Sequence, residues 1–218
     1  MNKGIARLAA LSVTGLALVA VATPAHAFRM IQNTSVGRVS AGAAVACNAS
    51  GGFTHWNNKS ITWFLNSSGA PGGAAGALTA ALGSWNTASD LHLNEYTLTN
   101  GGSTSAGFVT DGQNAIVFAR GNGCNGQCLA ITALVLQAGQ VIVETDVSFS
   151  SRYNWQTTGG DLDFQAVCTH EVGHSLGIHH TELTSTPRPT MYAAYFGVTG
   201  QSLEADDRNA MNCTEDRY

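Results

Sequence analysis

Charged side chains are scarce in this sequence: they make up 11% of its 218 residues, and only ten are Lys or Arg against 14 Asp or Glu. So small a basic complement leaves no patch on which a polyanion would settle, so nucleic acid is not expected as a partner. Long apolar runs are equally rare. Leu8 to Ala22 is one, and nothing after it approaches the roughly 20 apolar residues that a membrane-spanning helix needs. Internal repeats and a composition break that would mark a second domain are lacking too. What remains is 44% hydrophobic, enough for one sizeable core and neither fibrous nor disordered in composition.

The early apolar run has the form of an export signal. "MNKGIARLAALSVTGLALVAVATPAHA" opens on Lys3 and Arg7, continues apolar and closes on Ala25 and Ala27 with one residue between. Residues 1–27 are therefore expected to be a signal peptide cut after Ala27. No cysteine stands at the cut to carry a lipid, so a secreted protein with no stable membrane association is expected. Its net charge would be −6, because eight basic residues then face 14 acidic ones.

Five cysteines are an odd number, and in an exported chain disulfides are the default. Cys124 and Cys128 flank a short glycine-containing loop and are the first candidates to pair. The sequence leaves open which of Cys47, Cys168 and Cys213 stays free.

Residues 28–50 are small, polar and aperiodic, and read as a poorly ordered leader before a domain spanning 51–218. "ITWFLN" is β-branched and aromatic and ends in turn residues, as a strand does. "AAGALTAALGSWNTA" places Ala74, Leu78, Ala81, Leu82 and Trp85 at helical spacing. Then come a half-buried strand "LHLNEYTL", a loop "TNGGSTSAG", a strand "NAIVFA", and "LAITALVL" and "VIVETDVSF", which "QAGQ" joins into a hairpin. "GGDLDFQAVCTHEVGHSLG" suits a long helix with an acidic first turn that Gly177 stops. "SLEADDRNAMNC" reads as a last helix, capped by Ser202 and ending near Cys213. Strands followed by helices argue for an α+β architecture.

The chemistry is concentrated in "THEVGHSLGIHHT", which holds four of the seven histidines. His170 and His174, four apart on a helix, share one face and can reach one ion. Glu171 can point at a water in the remaining coordination position and take its proton. A catalytic zinc needs three protein ligands and an open position. Gly177 permits a sharp turn, after which His180 can supply the third ligand while His179 points elsewhere. Cys168, two residues before His170, faces away and is a core or disulfide cysteine. A secreted binding module with a structural metal site, or a zinc hydrolase of a non-peptide substrate, would show the same histidines. The base argues against the former, since a structural zinc needs none.

"HEVGHSLGIHH" followed by "TMYAAY" resembles the metzincin zinc endopeptidases, which place a methionine turn beneath the metal, and within them the matrixins. The resemblance covers roughly Ile61 to Met211, including "ITWFLN", the helix ending in Trp85, and "SLEADDRNAM" with Asp206 and Asp207. It implies a mixed twisted sheet with an active-site helix, a methionine turn at Met191 and a C-terminal helix. It also implies a monomeric peptidase with one catalytic zinc, whose protein or peptide substrate lies along the edge strand "LAITALVL". Tyr195 and Ala193 fall in the wall of the substrate pocket.

The chain departs from that pattern in several places. Thr181 replaces the usual serine, and Ala193 replaces a proline. No propeptide cysteine motif is present, and Cys47 is the only upstream thiol that could act as a latency switch. His55 and His92 are too far apart for a second structural zinc. Calcium is an open expectation: Glu144, Asp146, Asp161 and Asp163 supply hard oxygen ligands, and helix capping or solvated loop charge accounts for them equally well.

Overall fold

A computed structural model describes residues 28–40, 42–88, 96–120, 128–184 and 186–217. Its centre is a mixed sheet. Strand β5 (Ser60–Leu65) alternates exposed or half-buried with buried positions, as the aromatic and β-branched run requires. Parallel strands need a crossover, and helix α1 (Ala74–Asn86) supplies it between β5 and β6 (Thr97–Ser103). Its buried stripe Ala74, Ala77, Leu78, Ala81, Leu82 and Trp85 continues the expected spacing.

β7 (Asn114–Ala119) pairs parallel to both β5 and β9 (Val141–Ser150). β8 (Ala130–Gln137) forms the expected antiparallel hairpin with β9. The short β4 (His55–Trp56) runs parallel to the start of β9. Helix α2 (Phe164–Ser175) packs on α1 and carries Phe164 into an aromatic cluster with Phe118, Phe149 and Trp155, ring centroids 4.8–5.5 Å apart. Helix α3 (Ala205–Arg217) closes the fold. This is the α+β arrangement with an active-site helix that the resemblance implies.

Four readings of the sequence need correction. Residues 28–50 are not a loose leader but hold three strands. β1 (Arg29–Gln32) is the middle of a small antiparallel sheet between β3 (Ala43–Val45) and β10 (Ile178–His179), and β2 (Gly37–Val39) adds to the main sheet beside β8. The apolar residues are few, yet Phe28, Met30 and Ile31 are all buried in the main core, where neighbours distant in sequence supply the partners that no local period reveals. β2 accordingly covers Leu134 to Leu136 of β8, the strand expected to be an edge.

The glycine-rich segment after Leu98 is strand rather than loop as far as Ser103. A Cβ on Gly101 would collide with the Phe64 ring and Thr62, so the glycine is where a neighbouring side chain lies across the strand. "LHLNEYTL" falls largely outside the described residues.

Helix α2 starts only at Phe164. Asp161 precedes it and Asp163 is its N-cap, accepting the Ala166 N–H at 2.8 Å, so no acidic residue lies in its first turn. Ser202 does not cap α3; it ends a 3-10 turn (Val198–Gln201), and the Asp207 carboxylate instead accepts the Glu204 N–H at the helix start, 2.9 Å away. The helix also runs past Cys213 to Arg217.

Candidate active site

Two tryptophans fix α2. Trp85 Nε1 donates to the Thr169 carbonyl and Trp56 Nε1 to that of Ser175, both at 2.8 Å; the second satisfies a carbonyl at the helix end. Beyond Ser175 the chain reverses through Gly177 at φ +88°. A side chain there would also run into the Thr54 carbonyl oxygen, so both the backbone angle and the space demand glycine. β10 follows, held by the pairs Met30 with Ile178 and Arg29 with His179. His180 emerges from its end.

The structure brings His170, His174 and His180 together. His180 Nε2 lies 3.1 Å from His174 Nε2 and 3.2 Å from His170 Nε2. His170 Nδ1 is 2.7 Å from the Thr190 carbonyl and His174 Nδ1 is 2.8 Å from that of Ile178. A carbonyl only accepts, so each Nδ1 carries the proton and each Nε2 turns a lone pair to the centre. Burial, with the neighbouring imidazoles, pushes His174 well below the usual histidine range and His180 down to about 4, keeping both neutral. Convergent lone pairs on neutral imidazoles repel one another and suit a cation, so this donor set fits zinc. Among the described residues no fourth His, Cys, Asp or Glu joins the group. His179 stays outside it, its ring against that of His180 at 5.5 Å.

Glu171 is buried beside the triangle. Burial pushes its carboxyl up, opposed by His170 and by Thr132, whose hydroxyl donates to Oε2 at 2.6 Å. Thr132 carries no motif and sequence reasoning passed over it; only the strand pairing places it over the helix.

Met191 is buried beneath the helix. A Cβ on Gly173 would strike its sulfur and Trp85, so Gly173 is the gap that the methionine fills. Asp207 accepts the N–H groups of Thr190 and Met191 at 2.9 and 3.0 Å, which ties the turn to α3. The paired-aspartate signal could have pointed to this role.

A cavity of about 420 Å³, within the usual range for ligand pockets, opens beside His170, Glu171 and His180, with Val167, Ala193 and Tyr195 in its wall. The Tyr195 hydroxyl accepts the Asp163 N–H at 2.8 Å, which steadies that wall.

The four carboxylates considered for calcium do not gather. Glu144 and Asp146 face Arg38, at 3.8 and 2.8 Å, and accept backbone N–H groups of residues 111, 112 and 115, while Asp163 caps α2. The cation between Glu144 and Asp146 is thus a guanidinium.

Cys47 is bonded to Cys213 and so has no thiol left for a latency switch; among the described residues Cys168 is free and buried in the core. Cys128 is disulfide-bonded, and Cys124 lies outside the described residues.

A helix presenting two histidines and a glutamate, a glycine reversal, a third histidine and a methionine turn define a metzincin-type metallopeptidase fold. Residues 55–214 match the matrixin peptidase family model, and the chain belongs to that family, whose members' chemistry implies zinc. It is 39% identical over 59 residues to karilysin of Tannerella forsythia, a match covering 27% of this chain and 12% of karilysin. Among solved structures it is similar to metalloproteinase-II from Bacteroides fragilis, at 15% identity and a TM-score of 0.38, covering 75% of this chain and 53% of that one. The chain thus spans well under two thirds of either relative.

Proposed function

We propose that this protein is an exported zinc endopeptidase in which His170, His174 and His180 hold the metal, Glu171 is the general base, and Met191 and Gly177 support the site. The observation that carries this reading is the convergence of three histidine Nε2 atoms beside a buried carboxylate at the mouth of an open cavity, in a chain of the matrixin family. A closed structural metal site would have a fourth ligand and no base.

Bound zinc would act as a Lewis acid on the scissile carbonyl and acidify a water at the open face. Glu171 takes the proton of the attacking water and delivers it to the departing amine. Thr132 holds the carboxylate in place and favours its charged form. An extended peptide adds as a strand beside β8, and the cavity walled by Ala193 and Tyr195 receives a side chain on the far side of the scissile bond.

Export has its own support. Cleavage after Ala27 would make Phe28 the first residue. The Phe28 nitrogen already donates to Asp206 Oδ1 at 3.0 Å, and Asp206 Oδ2 is buried with no hydrogen-bond partner among the described residues, a place where an ammonium would add the donors a carboxylate needs. No helix of the described residues is long and apolar enough to cross a membrane. A monomer acting alone on protein or peptide substrates completes the reading.

Glu171→Gln tests it. The variant should bind zinc as the parent does and lose about a hundred-fold or more of its casein hydrolysis, the scale of a general base. Undiminished hydrolysis would remove Glu171 from the mechanism.

A further inference from the structure

One wall of the larger cavity is an unbroken stretch, Tyr192 to Gly197, and its backbone does little to fix it. Among the described residues, Ala193 to Phe196 make no backbone–backbone hydrogen bond. Ala193 and Ala194 are exposed and carry one methyl each, so neither anchors the stretch. Where the family pattern has a proline, whose ring locks φ, Ala193 leaves that angle free. The shape of the wall therefore depends on side chains. One tie is the Tyr195 hydroxyl, which accepts the Asp163 N–H.

The second is Arg188, a half-buried residue just before the methionine turn. Its guanidinium carbon lies 4.5 Å from the Tyr192 ring centroid and 5.6 Å from that of Phe196. Both distances fall inside the roughly 6 Å over which a cation is drawn to an aromatic face. The two rings stand at the start and near the end of the wall and line the cavity, whereas Arg188 does not. One cation thus spans the wall from outside it. We infer that Arg188 is a positioning residue, which grips Tyr192 and Phe196 together and so sets the width of the cavity that receives a substrate side chain. This inference rests on the peptidase reading above.

The arginine is placed for such a grip. Pro189 follows it, and a residue before proline is pushed toward extended backbone. The Pro189 carbonyl then accepts the Tyr192 N–H at 3.1 Å, which closes the turn between the arginine and its first ring. At the root of that turn the Thr190 hydroxyl donates to the Ser202 carbonyl at 2.8 Å and the Thr190 N–H to Asp207 Oδ2 at 2.9 Å. The base of the grip is therefore tied to the chain on the far side of the wall. No carboxylate among the described residues lies within ion-pair reach of Arg188, so none competes with the rings for it. A planar guanidinium also stacks on a ring as an ammonium does not.

A side chain entering the cavity presses on this wall, and a residue without one does not touch it. Loss of the grip should therefore be felt by one substrate and not by another, which a general weakening of the fold would not produce. The test is a pair of peptides from one casein cleavage site, identical except for leucine or glycine directly after the scissile bond. In zinc-loaded Arg188→Ala, KM for the leucine peptide should rise about three- to thirty-fold, the range of a cation–π contact between the exposed and desolvated limits. Its kcat should change less than about two-fold, and so should KM for the glycine peptide. Arg188→Lys keeps the charge without the planar fork and should recover at least half of the loss on a logarithmic scale. Zinc affinity, read by chelator competition, should match the parent in both variants. An equal rise for both peptides, no rise, a lysine variant no better than alanine, or weakened zinc binding would overturn the inference. Fluorescence anisotropy of the same peptides on zinc-loaded Glu171→Gln, with and without Arg188→Ala, reads the wall without hydrolysis. A selective loss of leucine-peptide affinity there supports the inference even if the parent cleaves nothing, a result that would sink the peptidase reading alone. No selective loss, or no binding of the leucine peptide, overturns it.

Discussion

Replacing Gly177 by alanine isolates the step that delivers the third histidine. Two costs add. A residue with a Cβ at φ +88° pays roughly 1–2 kcal/mol for a left-handed backbone, and the new methyl meets the Thr54 carbonyl oxygen, which is backbone and cannot swing aside. Overpacking of this kind costs about 1–3 kcal/mol, so the total is about 2–5 kcal/mol. The relaxation has a direction, because the Gly177 carbonyl accepts the Ile31 N–H at 2.7 Å and its N–H donates to the His174 carbonyl at 2.9 Å. Any shift is passed to β10 and to His180. Urea unfolding of the chelated protein should show its midpoint lowered by roughly 1–2 M at the usual slopes, and competition with a chromophoric chelator should show zinc bound about ten-fold or more weakly. Gly76→Ala is the control: it lies in α1 with nothing within 4 Å of the added methyl, so helix propensity alone should stabilise it by about 0.5–1 kcal/mol. A Gly177→Ala protein with unchanged midpoint and zinc affinity would refute the reasoning, since it would show that the reversal tolerates a side chain.

Other outcomes follow from the same geometry. Thr132→Val removes the hydroxyl that favours the Glu171 carboxylate, so the acidic limb of the kcat/KM–pH profile should move up by about one unit, the worth of a charge-assisted hydrogen bond; an unmoved limb would free Glu171 of Thr132. Burial raises Asp146 to about 6 despite Arg38. A raised folded value means a contribution fully present below the unfolded value of 3.8 and lost as pH rises through about 6. The parent should therefore gain about 1 kcal/mol over Asp146→Asn between pH 7 and pH 5, and parallel stability curves would contradict it. Replacing Cys47 and Cys213 together by serine opens a loop with a sequence separation of 166 and should cost about 2–5 kcal/mol, read as a lower urea midpoint. Under reducing conditions the two proteins should unfold alike.

The zinc triangle was legible in sequence because it is local. Three of its parts sit on one helix and the turn after it, and helical geometry with one glycine brings His170, Glu171, His174 and His180 into reach. The supports were not legible, because they come from elsewhere. Thr132 is one threonine on a β-rich strand until strand pairing sets it against Glu171. Asp161 and Asp163 looked helical because acidic residues suit a first turn, but a residue that caps lies just outside it. The 28–50 segment misled most: with so few apolar residues it has no period, and β3 together with β10, more than a hundred positions away, provides the partners of the buried Met30 and Ile31.

The pairing of β1 with β10 also sets a time at which the site can exist. Arg29 and Met30 leave the ribosome long before Ile178 and His179, their partners, and Met191 waits on Asp207, later still in the chain. The ligands are thus set only when residues as far apart as Arg29 and Asp207 are in place, and contacts so distant in sequence form slowly. The Cys47–Cys213 bond seals that arrangement and needs an oxidising compartment. A nascent chain accordingly carries the complete histidine motif before the contacts that hold it in shape have formed.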